Sequence, residues 1–192
     1  LKYLKILKSG IIMKDKSSQE SKIKLWTAQN QIVVDTIKEK GVYQVKKEFI
    51  EQKYQQVSDI FLEAYNWYIN QAKKLVPKPK GAEYPVWLIT KEKYLDYFPG
   101  ERILELEVDR NKVIIVDNAK WNRVLNLSYI PTDQQDQQKH EEELKRYNLS
   151  DDSKAYLSNH YPYLKSKIKN SWDRLFDNSI KLSEVTRASL WQ

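Results

Sequence analysis

The sequence predicts an α+β fold: a small mixed or antiparallel sheet packed with several amphipathic helices. Three observations predict it. Apolar residues recur three and four apart over long stretches, which is helical spacing. Short β-branched and aromatic runs, such as VIIV at 113–116, read as strands. The 192 residues are 41% apolar and 31% charged, with thirteen Tyr and six Trp, enough to fill one aromatic-rich core.

The elements follow in order. Residues 1–22 are expected to be a flexible basic and polar tail, in which Met13, followed by KDKSSQESK, looks like a natural start. KIKLW, 22–26, alternates and reads as a first strand. In TAQNQIVVDTIKEKG, Ile32, Val33, Thr36 and Ile37 share a helical face, Thr27 suits the N-cap and Gly41 the stop. From Val57, the positions Ile60, Phe61, Ala64, Tyr65, Tyr68, Ile69, Ala72 and Leu75 give the clearest helix. Trp67 lies off that stripe, and Pro77, Pro79 and Gly81 end the helix.

EYPVWLIT is a short strand, and ERILELEVDRNKVIIVD, 101–117, reads as a hairpin turning at Asp109–Lys112. Trp121, Val124 and Leu125 fall at helical spacing before Pro131. Residues 132–155 are rich in Gln, Glu and Asp and read as an exposed helix and loops at the rim. Pro162 opens a helix carrying Leu164, Ile168, Trp172, Leu175 and Phe176. EVTRASLWQ alternates through Val185, Ala188 and Leu190 as the closing strand. With no repeat and no linker, residues 23–192 read as a single domain.

Composition narrows the chemistry. The formal charge is +7, but the first twelve residues hold Lys2, Lys5 and Lys8 and no acid, leaving 30 basic against 26 acidic residues elsewhere. So mild an excess is less than a nucleic-acid-gripping face usually carries. Without Cys and with only His140 and His160, disulfides and thiolate metal sites are excluded and no metal is expected. The longest apolar runs are far too short to span a bilayer, and the opening stretch lacks a signal-peptide pattern; the expected location is the cytoplasm. Walker, Rossmann, nucleophile-elbow and zinc motifs are missing from the sequence.

Several constellations remain. Glu105 and Glu107 stand two apart on a strand and share a face, as a general acid or a hydroxyl-binding pair would, or as the wet face of a hairpin would. Lys73, Lys74, Lys78 and Lys80 precede Tyr84 and Trp87, a pattern that can bind phosphates and stack bases, or only complement a helix end. Asp117 and Trp121 sit at a strand-to-helix junction, where Asp caps the helix and where ligands also bind.

The ordered set LWTAQ (25–29), EAYNW (63–67), YPVW (84–87), LELEVDRNKVIIVDNAKWNRVLN (104–126), SWDRLFD (171–177) and ASLWQ (188–192) resembles a bacterial and phage family known as domain of unknown function 3841. At the end of the chain, where relatives tend to read QATFWE, this sequence has Arg187 for a Gln and Gln192 for a Glu. The layout is more distantly similar to ADP-ribosyltransferase-like toxins. That resemblance implies an NAD-using enzyme of bacterial or phage conflict. Trp26, Thr27 and Gln29 on the first strand would contact the nucleotide, and Tyr84 or Trp87 would stack on nicotinamide or the target base. Glu184 or Glu107 would stabilise the transition state. The rival expectation is a non-catalytic module using residues 73–87 on nucleic acid or a protein partner.

Overall fold

The computed structural model of the chain describes residues 3–6 and 22–191. The fold is α+β. Six strands are β1 (Tyr3–Ile6), β2 (Lys22–Gln29), β3 (Val86–Ile89), β4 (Arg102–Asp109), β5 (Val113–Asp117) and β6 (Thr186–Leu190). The helices are α1 (Gln31–Lys40), α2 (Lys47–Tyr54), α3 (Ser58–Leu75), α4 (Asn118–Leu125), α5 (Gln134–Arg146), α6 (Asp152–Leu157) and α7 (Pro162–Ser171). Within the stretch expected as a tail, Tyr3–Ile6 pair parallel with Ile103–Leu106. Met13 and Gln192 lie outside the described residues. No described helix is long and apolar enough to cross a membrane.

The chain groups into two compact units. One comprises Ile69–Ile115 with the described parts of Leu1–Phe49 and Val185–Gln192; the other comprises Ile50–Tyr68 and Val116–Glu184.

The first unit is built on the sheet, whose order is β1-β4-β2-β3-β6-β5. This order corrects the hairpin expected over 101–117. Both strands form, but β4 pairs with β1 and β2 while β5 lies beyond β6 at the other edge. A three-residue 3-10 turn, Arg110–Lys112, links them. Four strand steps at roughly 4.8 Å would separate them by about 19 Å in a flat sheet, whereas four residues extend at most about 14 Å. The sheet therefore curls, which brings Val113 into one apolar cluster with Leu25, Val86, Leu88, Ala188 and Leu190. Ile23, Leu106 and Val108 pack against that cluster. Alternation along β2 and β4 thus sends Leu25 and Leu106, a register pair, to the inner face.

β2 runs three residues past the expected end, so Thr27 is a strand residue opposite Leu104 and not a helix cap. Asn30 occupies the N-cap of α1. Gly41 closes that helix at φ 72°, the left-handed region glycine adopts without steric cost, and its N–H bonds to the Ile37 carbonyl.

Aromatic contacts hold the second unit. Trp121 meets Tyr65 and Tyr68 edge-on at 5.5 and 5.2 Å between centroids. Trp172, fully buried, takes Trp67 edge-on at 5.3 Å and stacks on Tyr156 at 5.2 Å. Its indole N–H donates to the Ser128 carbonyl at 2.9 Å. Trp67 belongs to this core despite lying off the apolar stripe of α3, because Trp172 and Phe176 pack on that flank.

Candidate functional site

Register decides which of the expected site residues can act together. In β2, Trp26 pairs with Glu105 of β4 on one side and Ile89 of β3 on the other. Ile89 in turn pairs with Arg187 of β6. Directly paired residues project to the same side of a sheet, so Glu105, Trp26, Ile89 and Arg187 form one row on the outer face. Glu107 and Trp87, each two residues from a member of the row, share that face. Thr27 and Gln29 project to the opposite side, where Gln29 Nε2 donates to Thr27 Oγ1 at 2.9 Å. Strand alternation therefore divides the expected nucleotide contacts: Trp26 goes with Trp87, Glu105 and Glu107, and the other two with the inner face.

Each carboxylate of the outer face meets a lysine diagonally across the ladder. Lys24 Nζ lies 3.4 Å from Glu105 and Lys22 Nζ 3.5 Å from Glu107. Pairs this exposed contribute about 0–1 kcal/mol, so they yield readily to a ligand. Trp26 is half-buried, yet its Nε1 is buried and has no hydrogen-bond partner among the described residues. A buried N–H left unbonded costs about 1–3 kcal/mol. The arrangement offers an aromatic surface, a donor and two acceptors at neighbouring positions of one sheet face.

The other expected residues occupy different settings. Tyr84 is buried at 7% exposure, and its N–H bonds to the Val45 carbonyl at 3.4 Å. Of the neighbouring lysines, Lys78 donates to the Ala82 carbonyl at 2.6 Å, while Lys73, Lys74 and Lys80 are exposed. Glu184 is exposed and belongs to the second unit. Trp121, 1% exposed, is a core residue of that unit.

Asp117 is buried and accepts four backbone N–H groups. Oδ1 takes Ala119 and Lys120 at 2.7 and 3.2 Å, capping α4, and Oδ2 takes Leu182 and Ser183, both at 2.7 Å. Beside it Lys120, 1% exposed, donates to the carbonyls of Arg174 at 2.8 Å and Asp177 at 2.7 Å. Burial lowers the Lys120 pKa, against the pull of Asp117 and Asp177. The two side chains fasten the stretch 174–183 to the start of α4.

A polar network that motif reading missed lies in the same unit. His140, 1% exposed, meets Asp152 Oδ1 through Nε2 at 2.5 Å and stacks on Tyr129 at 4.1 Å. The Tyr129 hydroxyl donates to Asp136 at 3.0 Å, and Arg174 Nη1 donates to the same carboxylate at 3.0 Å. Burial opposes ionisation of Asp136, but the Thr132 N–H, Tyr129 and Arg174 outweigh it and lower its pKa. An Asp–His pair is the material of acid–base catalysis. Burial of this imidazole withdraws it from any substrate, so the network fastens α5 to α6 and α7. The partners come from 129, 136, 152 and 174, separations no local motif reveals.

No group of three or more His, Asp or Glu among the described residues is placed to hold a metal ion. Neither the curated proteins nor the solved structures include a match to this chain. The family model described as domain of unknown function (DUF3841) matches residues 24–192, from β2 to the end of the sequence, and the chain belongs to that family.

Proposed function

We propose that the chain is an ADP-ribosyltransferase-like protein that takes NAD on the outer sheet face bearing Trp26, Trp87, Glu105 and Glu107. One observation carries the reading: the unbonded indole N–H of Trp26 sits beside Glu105, its register partner. A donor next to an acceptor matches a primary carboxamide, whose carbonyl accepts from Trp26 while its amino group donates to Glu105. Nicotinamide presents that group on a flat ring suited to an indole surface.

Glu107 then has a defined task. Nicotinamide departs with the electron pair of its bond to the ribose C1′, and positive charge develops on the sugar. A carboxylate fixed nearby stabilises that charge. A nucleophile of the target, protein or nucleic acid, forms the new bond to C1′ and passes its proton to a carboxylate.

Titration calorimetry with NAD and transfer of labelled ADP-ribose test the reading. Trp26→Phe keeps an aromatic surface but loses the N–H, and weakens NAD binding by about three- to tenfold, the worth of one hydrogen bond. Glu107→Gln leaves binding within a factor of about three and removes transfer. If wild-type protein shows no NAD binding, no melting shift and no transfer, the reading falls. Salt-sensitive RNA binding through exposed Lys73, Lys74 and Lys80 would then put the nucleic-acid module in its place.

A further inference from the structure

We infer that Arg187 binds the phosphate of the ligand on this face, so that the site selects phosphorylated nucleotides over ribosides; the inference rests on the NAD reading above. Arg187 stands at the far end of the row that begins at Glu105 and passes through Trp26 and Ile89. Three strand steps at about 4.8 Å place the backbone of the acid and that of the cation about 14 Å apart. The floor between them is the half-buried Trp26 and the buried Ile89.

A row with acceptors at one end, an apolar middle and a guanidinium at the other is polarised. It matches a ligand with an amide at one end, a flat ring and sugar between, and an anion at the other. A nicotinamide nucleotide has that order, with its carboxamide at Trp26 and Glu105 and its phosphate toward β6. Arginine meets phosphate with two parallel N–H donors, a match lysine cannot reproduce. Ser189, two residues on and paired with Trp87, is the next outward-facing position of β6.

The test compares nicotinamide mononucleotide with nicotinamide riboside, which differ only in the phosphate, on wild-type, Arg187→Gln and Arg187→Lys full-length protein. Wild type binds the mononucleotide at least about tenfold more tightly, as a charge-assisted contact predicts. Arg187→Gln removes that margin and leaves riboside affinity unchanged; Arg187→Lys retains part of it. The riboside serves as the folding control, since a damaged site loses both ligands. If both ligands bind and Arg187→Gln alters neither, or weakens both alike, the Arg187 assignment is overturned while the site stands. If wild type binds neither ligand nor NAD, the site itself is refuted and the assignment goes with it.

Discussion

Replacing Asp117 with asparagine isolates the most heavily used carboxylate of the second unit. Its two oxygens accept four backbone N–H groups, at 2.7 and 3.2 Å from the start of α4 and 2.7 Å twice from Leu182 and Ser183. Asparagine keeps one acceptor oxygen and replaces the other with an NH2 that must face two donors. Either α4 loses its cap or residues 182–183 lose theirs. Hydrogen bonds to a charged group contribute about 1.5–3 kcal/mol each. Losing two at a buried position costs about 3–5 kcal/mol, and Asp117→Ala costs about the same because the amide restores little. For a chain of this length, roughly 2–4 °C of melting temperature accompanies each kcal/mol, so a fall on the order of 6–20 °C is expected. Urea unfolding followed by tryptophan fluorescence gives the free energy, and hydrogen exchange locates it. The amides of Leu182 and Ser183 should exchange much faster in the variant. A loss below about 1 kcal/mol, or unchanged protection at those two amides, would refute the role assigned to this side chain.

Lys120→Met removes a buried cation whose folded-state pKa is lowered by burial. Between that value and the unfolded one near 10.4, the unfolded chain binds more protons. Wild-type stability therefore rises with pH across this alkaline window relative to Lys120→Met, and parallel profiles for the two proteins would count against the assignment. Asp136 has a lowered folded pKa, so its contribution is complete above the ordinary value near 3.9 and is lost as acid titrates through the folded one. Asp136→Asn should destabilise at neutral pH and flatten the acid limb of an unfolding titration. Trp67→Ala opens the Trp172–Phe176 contact and should cost about 3–5 kcal/mol by chemical denaturation; a loss under about 1 kcal/mol would place Trp67 outside the core.

Elements governed by neighbouring residues were legible. The stripe from Ile60 to Leu75 yields α3 as Ser58–Leu75, and Pro162 opens α7 because its missing N–H is one the first turn does not use. What the sequence concealed was pairing. VIIV is a strand in its own right, but whether β5 lies beside β4 or four places away depends on how far the sheet curls. Nothing in Asp109–Lys112 encodes that curl. Thr27 illustrates the same competition on a smaller scale. Its side chain suits a cap, yet pairing with Leu104 extends β2 past it, and ladder bonds outweigh one cap. His140 lay in a stretch whose composition reads as solvent-exposed; its burial depends on Asp152 and Tyr129, which local periodicity cannot register.

Alternation governs the candidate site in a similar way. Residues at i and i+2 of a strand share a face whatever the fold, so the joint projection of Glu105 and Glu107 was readable from spacing alone. Trp26 and Gln29, three apart, could share a face only if the strand stopped between them, and β2 continues through Gln29. Extending one strand by three residues thus parts them, and what remains beside Trp26 comes from β3, β4 and β6. These strands meet only through tertiary pairing, and that is how Arg187, a position marked in the sequence solely by its departure from the relatives, enters the row. The site hypothesis thereby becomes a question of register. A one-residue slip of β6 against β3 would send Arg187 to the inner face and set Thr186 or Ala188 in its place. Cross-linking cysteines placed at Ile89 and Arg187, a directly paired position, should form a disulfide far more readily than a pair at Ile89 and Ala188. The reverse preference would dissolve the row, and the ligand assignment with it.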